Sequence, residues 1–213
     1  MSHALEPRLV DHVLRALDLA IAGIAATVTS PLLAVIALLV KLSSPRSPVF
    51  YRGWRVGQGG HLFQILKFRT LAPDAEQRLG PYLGPELTQM TENEVTQLGR
   101  VLRASKLDEF PQLVNVLRGE MSLVGPRPIR PAFFAELCGD IPQYWQRLVV
   151  RPGVTGLAQL RLTREMTWAE KLAHDLEYIA DRSVSLYLSV IVTTAWLMIV
   201  RPANRRAVLN RLP

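Results

Sequence analysis

Cysteine is nearly absent from this chain, with Cys138 the only one in 213 residues. No intrachain disulfide can form, a cysteine-rich metal centre is excluded, and a reducing, cytosol-facing location fits. An internal repeat is also missing, which excludes a solenoid or propeller array. With 49% apolar residues in 213, the chain can bury one core of ordinary size, so one domain is expected. Acidic residues are in the minority: 18 aspartates and glutamates face 25 lysines and arginines, a formal net charge of +7. Such an excess implies an anionic partner, whether nucleic acid, an anionic membrane surface or a phosphorylated substrate. Nucleic acid is not the expected one, because the basic residues match no nucleic-acid-binding fold and lack an interleaved aromatic platform.

Charge is missing altogether from residues 19–40, LAIAGIAATVTSPLLAVIALLV. A helix of about 20 apolar residues crosses a hydrocarbon core of about 30 Å. A cleaved signal peptide fits poorly, since Asp11 and Asp18 lie where its basic leader would be and the run exceeds the usual core of about 7–15 residues. A single span should carry positive charge mainly on its cytoplasmic side. Here Arg8 and Arg15 precede the run and Lys41, Arg46, Arg52 and Arg55 follow it. Pro31 removes a backbone donor and crowds the carbonyl of residue 27, while the Ser30 hydroxyl can serve a freed backbone group, so a bend is expected at Ser30-Pro31. A bent helix that enters and leaves by one face explains both basic flanks; a kinked spanning helix is equally compatible with these residues.

A second uncharged run, residues 183–200, lies between Arg182 and Arg201. It is marginal as a span, and Ser185, Ser189 and Thr193 make a thin polar stripe, so a helix in the membrane interface or packed on the core fits at least as well. Between the two runs, residues 49–70 (VFYRGWRVGQGGHLFQILKFRT) read as a β-hairpin turning at GQGG. Arg52 and Arg55, close to the membrane run, read as headgroup contacts. Lys67 and Arg69 share one strand face by the two-residue period. Residues 72–94, with Pro73, Gly80, Pro81, Gly84 and Pro85, suggest a short helix and a mobile loop. Leu98, Val101 and Leu102 recur at helical spacing, predicting a helix that ends near Ser105. Residues 131–138 and 144–150 suggest short helices, RPGVTG at 151–156 a turn, and the TWAE capping box of Thr167 and Glu170 a helix through about Ala180.

The chemistry is concentrated in residues 106–128, KLDEFPQLVNVLRGEMSLVGPRP. Ser105 followed by Asp108 resembles a capping box, and Pro111 suits a helix start, which places Asp108 and Glu109 at or near a helix N-terminus. The partial positive charge there favours ionised carboxylate and attracts phosphate. Consecutive helical residues point about 100° apart, so the two carboxylates suit distinct roles such as nucleophile and metal ligand. A carboxylate can attack a phosphoryl group while Mg²⁺ neutralises a diphosphate, and Arg103 and Arg127 can bind phosphate oxygens. In isolation, an Asp-Glu pair at a helix start is usually a cap or solvated.

The string LDEFPQLVNVLRGEMSLVGPRP is similar to the signature of the bacterial sugar transferases known as monotopic phosphoglycosyl transferases. Residues 53–76 (GWRVGQGGHLFQILKFRTLAPDAE) resemble their hairpin segment with its KFRT element, and residues 151–160 (RPGVTGLAQL) resemble a later loop. The likeness covers most of residues 12–200. It implies an α+β, mainly helical fold: a re-entrant membrane helix at 12–42 broken at Ser30-Pro31, a small hairpin, and a cytosolic and interfacial catalytic part at 43–213, all one domain. It further implies that Asp108 takes phosphosugar from a UDP-sugar, releasing UMP, and passes it to a polyprenyl phosphate such as undecaprenyl phosphate. Glu109 would ligate Mg²⁺. Lys67, Arg69, Arg103, Arg127 and Arg151 would contact phosphates or organise the site. The resemblance places the enzyme at the bacterial cytoplasmic membrane, facing the cytoplasm and in contact with phospholipid, at the first step of glycoconjugate or exopolysaccharide assembly. It leaves the sugar and any homo-oligomer unspecified.

Two departures stand out. After GLAQ the family continues with valine, a polar residue and Gly-Arg, whereas this chain has Leu160, Arg161, Leu162, Thr163 and Arg164, leaving open which arginine substitutes. The last helix has Tyr187 and Ser189 where the family tends to carry Asp and Lys. Two rival functions make different demands. A non-enzymatic assembly protein would not need Asp108, and a soluble phosphatase with an Asp nucleophile would need no lipid acceptor.

Overall fold

The first uncharged run folds as one helix, α1 (Leu9–Ser43), long and apolar enough to cross a membrane. The computed structural model describes residues 8–73, 75, 90–161 and 166–199. Pro31 lies inside α1 without ending it. The reason is local: Ser30 Oγ donates to the Thr27 carbonyl at 2.8 Å, the acceptor that the missing Pro31 N–H would have served. The expected break is thus a lost backbone bond in a continuous helix. Thr27 and Thr29 bond back to Gly23 and Ala25 in the same way, at 2.9 and 2.7 Å.

Both halves of α1 rest on the same body. Leu14 and Ala22 are buried in the main core beside Val116, Met121 and Tyr187. Ile36 and Val40 are buried in a second cluster with Phe68 and Leu102. Between them Val28, Ser30, Pro31 and Leu32 are exposed. The acidic residues that argued against a leader turn out to be anchors. Asp18, 2% exposed, accepts hydrogen bonds from Ser122 Oγ (2.9 Å), the Leu123 amide (2.8 Å) and the Tyr187 hydroxyl (2.8 Å). Asp11 pairs with Arg182 at 2.6 Å.

The hairpin forms as expected. β1 (Phe50–Val56) runs antiparallel to β2 (Leu62–Phe68), from Phe50 opposite Phe68 to Val56 opposite Leu62. Gly59 and Gly60 turn the chain at φ of 64° and 82°, where only glycine sits without strain. Phe63 and Ile65 point into the main core, and alternation places Lys67 on that same face; Phe68 points the other way, onto Ile36 and Val40 of α1. Most of the 72–94 segment, including Gly80, Pro81, Gly84 and Pro85, lies outside the described residues.

α2 (Gln97–Ser105) starts at Thr96, whose hydroxyl accepts from the Gly99 amide at 2.9 Å. A methyl at Gly99 would overlap the Thr70 carbonyl, so glycine is what lets α2 approach the end of β2. Ser105 does not cap a following helix. Its hydroxyl bonds back to Val101 at 2.8 Å, and Lys106 at φ 61° closes α2 in the left-handed region. A 3₁₀ turn, Leu107–Glu109, then leads to α3 (Gln112–Arg118), so the carboxylates lie one turn ahead of α3 rather than inside its first turn.

RPGVTG contains a strand, not a turn alone. β4 (Gly153–Thr155) pairs in parallel with β3 (Ser122–Val124), a partner about thirty residues away that no local pattern reveals. A methyl at Gly153 would overlap the backbone of Gly125, which explains a glycine at this crossing. α4 (Pro131–Asp140), a 3₁₀ segment (Pro142–Val149), α5 (Leu157–Arg161) and α6 (Trp168–Asp181) follow. The TWAE capping box is present, with Thr167 Oγ1 accepting from the Glu170 amide and Glu170 Oε2 accepting from the Thr167 amide.

The second uncharged run is α7 (Val184–Ile199). It buries Tyr187 and Val190, while Val184, Leu188, Val192, Trp196 and Met198 remain exposed. Its inner polar contacts come from Tyr187 and from Thr194, the latter bonded to Thr155 at 2.8 Å, rather than from the Ser185, Ser189 and Thr193 stripe. Tyr187, one of the departures from the family pattern, is spent on Asp18.

Candidate active site

The turn at 107–109 is closed by backbone bonds from Glu109 to Lys106 (3.2 Å) and from Phe110 to Leu107 (3.3 Å). It faces β2 across a cavity of about 980 Å³. Lys67 and Arg69 from the hairpin, Arg103 from α2, Asp108 and Glu109 from the turn, and Arg127 from the GPRP loop all line it. So do Arg52, Arg55, Lys106 and Arg130, giving eight basic side chains against two carboxylates among the described residues. Arg52 and Arg55 therefore form part of this wall instead of acting only as headgroup contacts.

Adjacent in sequence, the two carboxylates have unlike surroundings. Lys67 Nζ sits 2.6 Å from Glu109 Oε1, and Arg127 Nη2 reaches the same oxygen at 3.5 Å. Burial alone would raise the Glu109 pKa, but these cations outweigh it and bring the group down to about 2. Asp108 goes the other way. Burial, and then the neighbouring Glu109 charge, push it above the ordinary aspartate range against the pull of Lys67, Lys106 and Arg103. Its Oδ1 is buried without a hydrogen-bond partner among the described residues. Arg103 is oriented by its Nε donating to Thr70 Oγ1 at 2.9 Å, which gives the threonine of KFRT a role.

Not every expected residue joins this cavity. Arg151 donates from Nε to the Gly119 carbonyl at 2.9 Å and lines a smaller cleft with His61 and Arg118. Ser30 and Pro31 lie in the exposed middle of α1. Arg161 is engaged by Glu177 at 2.6 Å, and Arg164 lies outside the described residues.

Two supports of the site had no local signal strong enough to single them out. Asn115, fully buried in α3, accepts from the Leu66 amide at 3.0 Å and donates to the Gln64 carbonyl at 2.8 Å, so it holds β2 and hence Lys67 against the turn. A lone amide inside the apolar run LVNVL was the available hint. Behind the GPRP loop, Arg147 donates from Nη2 to the Arg127 carbonyl at 2.9 Å and binds Asp175 Oδ2 through Nη2 at 2.7 Å and Nε at 3.1 Å.

No group of three or more His, Cys, Asp and Glu side chains that could hold a metal occurs among the described residues. The donor set still suits Mg²⁺, which is commonly bound by one or two carboxylates together with water and substrate phosphates. The buried, unpartnered Asp108 Oδ1 beside Glu109 is consistent with such a shared site.

Comparison with known proteins gives one consistent answer. Residues 10–201 match the profile described as bacterial sugar transferase. The UDP-glucose:undecaprenyl-phosphate glucose-1-phosphate transferase of Caulobacter vibrioides is 41% identical over 196 residues, 88% of this chain and 70% of that protein. The UDP-N-acetylgalactosamine-undecaprenyl-phosphate N-acetylgalactosaminephosphotransferase of Aeromonas hydrophila is 39% identical, over 84% of this chain but only 41% of its own length. Exopolysaccharide production protein ExoY of Rhizobium meliloti is 36% identical over 84% of this chain and 82% of its own length. A profile match that runs through α1, the carboxylate turn, the GPRP loop and α7 alike establishes that this chain belongs to the bacterial sugar transferase family of enzymes.

Proposed function

We propose that this protein moves a sugar 1-phosphate from a UDP-sugar to a polyprenyl phosphate, of the undecaprenyl type, releasing UMP through a phosphosugar held covalently on Asp108. The observation that carries this reading is the unequal state of two adjacent carboxylates. Glu109 is bound by Lys67 and Arg127, while Asp108 presents an oxygen without a partner among the described residues. The names of the relatives, which act on UDP-sugars and undecaprenyl phosphate, support the substrates.

In the first step an Asp108 oxygen attacks the sugar-bearing phosphorus. The bond from that phosphorus to the bridging oxygen breaks, and UMP leaves with the electron pair. In the second, a phosphate oxygen of the polyprenyl phosphate attacks the same phosphorus, the bond to Asp108 breaks, and the carboxylate is restored. Arg103 and Arg127 bind the phosphate oxygens and stabilise the charge that builds on them. When bound, Mg²⁺ would be held by Glu109 and would neutralise diphosphate charge.

The same reading makes α1 a re-entrant membrane helix and α7 an interfacial one, with the site facing the cytoplasm at the bacterial inner membrane. Support comes from the packing of both halves of α1 on one body and from the exposed apolar residues of both helices. A role early in exopolysaccharide or glycoconjugate assembly accords with the ExoY relative.

The test is intact-protein and peptide mass spectrometry of purified protein mixed with Mg²⁺ and a panel of UDP-sugars, without acceptor. The expected result is a phosphosugar adduct on Asp108 with one or more panel members, absent from Asp108→Ala, that is discharged by polyprenyl phosphate. UMP release that requires the lipid and leaves no adduct would refute the covalent mechanism. Full transfer by Asp108→Ala would refute the role of this site.

A further inference from the structure

The basic side chains of the cavity differ in what they are bound to. Lys67 and Arg127 are committed to Glu109. Arg69 stands just past β2, where the chain runs beside the C-terminal part of α1: its amide bonds the Val49 carbonyl at 3.0 Å. Among the described residues its guanidinium has one hydrogen-bond contact, a long 3.5 Å approach of Nη2 to the Val40 carbonyl, and its buried Nη1 has no partner. Its partial burial lowers its pKa, with no opposing charge among the described residues. A half-buried planar donor fork with one nitrogen unpaired is a configuration that an incoming anion relieves.

The direction from which that anion arrives is set by the surroundings. Arg69 follows Phe68 and reaches the Val40 carbonyl, both in the apolar cluster with Ile36 and Leu102, and the same stretch of α1 exposes Val35, Leu38, Leu39 and Leu42. A ligand reaching Arg69 along that stretch carries hydrocarbon; a nucleotide sugar, which carries none, has no use for it.

Building on the transferase reading above, we infer that Arg69 is the anchor for the phosphate of the isoprenoid acceptor, whereas the cations around Glu109 serve the nucleotide-sugar diphosphate. The two substrates would thus use different cations of one cavity and react in turn at Asp108.

The experiment separates the half-reactions in Arg69→Gln and Arg69→Lys. Burst formation of the Asp108 adduct is measured without acceptor, and discharge is measured against a titration of polyprenyl phosphate. Expected for Arg69→Gln is a burst like that of the wild type, which also shows that the variant folds, with the acceptor KM raised by about tenfold or more, the loss of one charge-assisted contact. Arg69→Lys should recover part of it. A burst that falls in step with turnover would assign Arg69 to the donor and overturn the inference, as would an unchanged acceptor titration. A third arm uses farnesyl phosphate in detergent free of phospholipid. If the difference between wild type and Arg69→Gln vanishes there, Arg69 holds a phospholipid headgroup, and the acceptor assignment fails. A wild type that yields neither adduct nor lipid-linked product would overturn the transferase reading and this inference with it.

Discussion

Asp175→Ala strands the Arg147 guanidinium in the interior. Both side chains are 5% exposed, and Asp175 Oδ2 accepts from Nε at 3.1 Å and from Nη2 at 2.7 Å, so no solvent stands ready to replace the carboxylate. Removing one partner of such a pair costs about 3–5 kcal/mol. For a chain of this size, each kcal/mol lowers Tm by about 2–4 °C, so a drop of about 6–20 °C is expected in a detergent or nanodisc melt. The double variant Arg147→Met with Asp175→Leu removes both charges and should melt within about 3 °C of the wild type, since apolar replacements of similar volume are close to neutral. It should nevertheless stay slow in adduct formation. Arg147 also donates to the Arg127 carbonyl at 2.9 Å, and no methionine can do so, which frees the loop that aims Arg127 at Glu109. A shift of under about 2 °C for Asp175→Ala would refute the energetic reasoning. A double variant that regains full activity along with stability would refute the positioning role.

The two site carboxylates should move stability in opposite directions. Glu109, depressed to about 2, contributes stability that is present above its unfolded value and lost as pH falls through about 2, so Glu109→Gln should lower Tm at neutral pH. Asp108, raised by burial, contributes stability only on the acid side and loses it as pH rises, so Asp108→Ala should raise Tm at neutral pH while abolishing adduct formation; a lower Tm would contradict the burial argument. Adduct formation should fall on acidification with a midpoint above the ordinary aspartate value, and Glu109→Gln should shift that midpoint downward in whatever activity remains, read by rapid-quench mass spectrometry across pH. Asn115→Ala leaves the Leu66 amide and the Gln64 carbonyl without their side-chain partner and should cost about 2–4 kcal/mol in denaturant unfolding; a loss below about 1 kcal/mol would mean that β2 is held chiefly by other contacts.

Where the sequence reading succeeded, the signals were local. The uncharged run, the GQGG hairpin, the α2 periodicity and the TWAE box each specify their element through neighbours a few residues apart. Ser105 misled because S-x-x-D reads alike at a helix start and a helix end, and the left-handed Lys106 decided which it was. The β3–β4 pairing, the docking by Asn115 and the Arg147–Asp175 support join residues tens of positions apart, beyond any local pattern. Arg151 shows the reverse: a residue inside a recognisable motif whose side chain the structure places on the Gly119 carbonyl, outside the carboxylate cavity.

By itself the sequence determined the chemical inventory: an uncharged helix with charged anchors, a basic surplus, and two consecutive carboxylates followed by an arginine between prolines. Residue types and short spacings carry that much, because charge and backbone preference belong to the residue. Only the tertiary structure decided that Glu109 is the carboxylate tied to cations and Asp108 the one with an oxygen unpartnered among the described residues. That difference comes from burial and from distances to Lys67 on β2 and Arg127 in the distant loop, and a pKa responds to neighbours in space, whatever their separation along the chain.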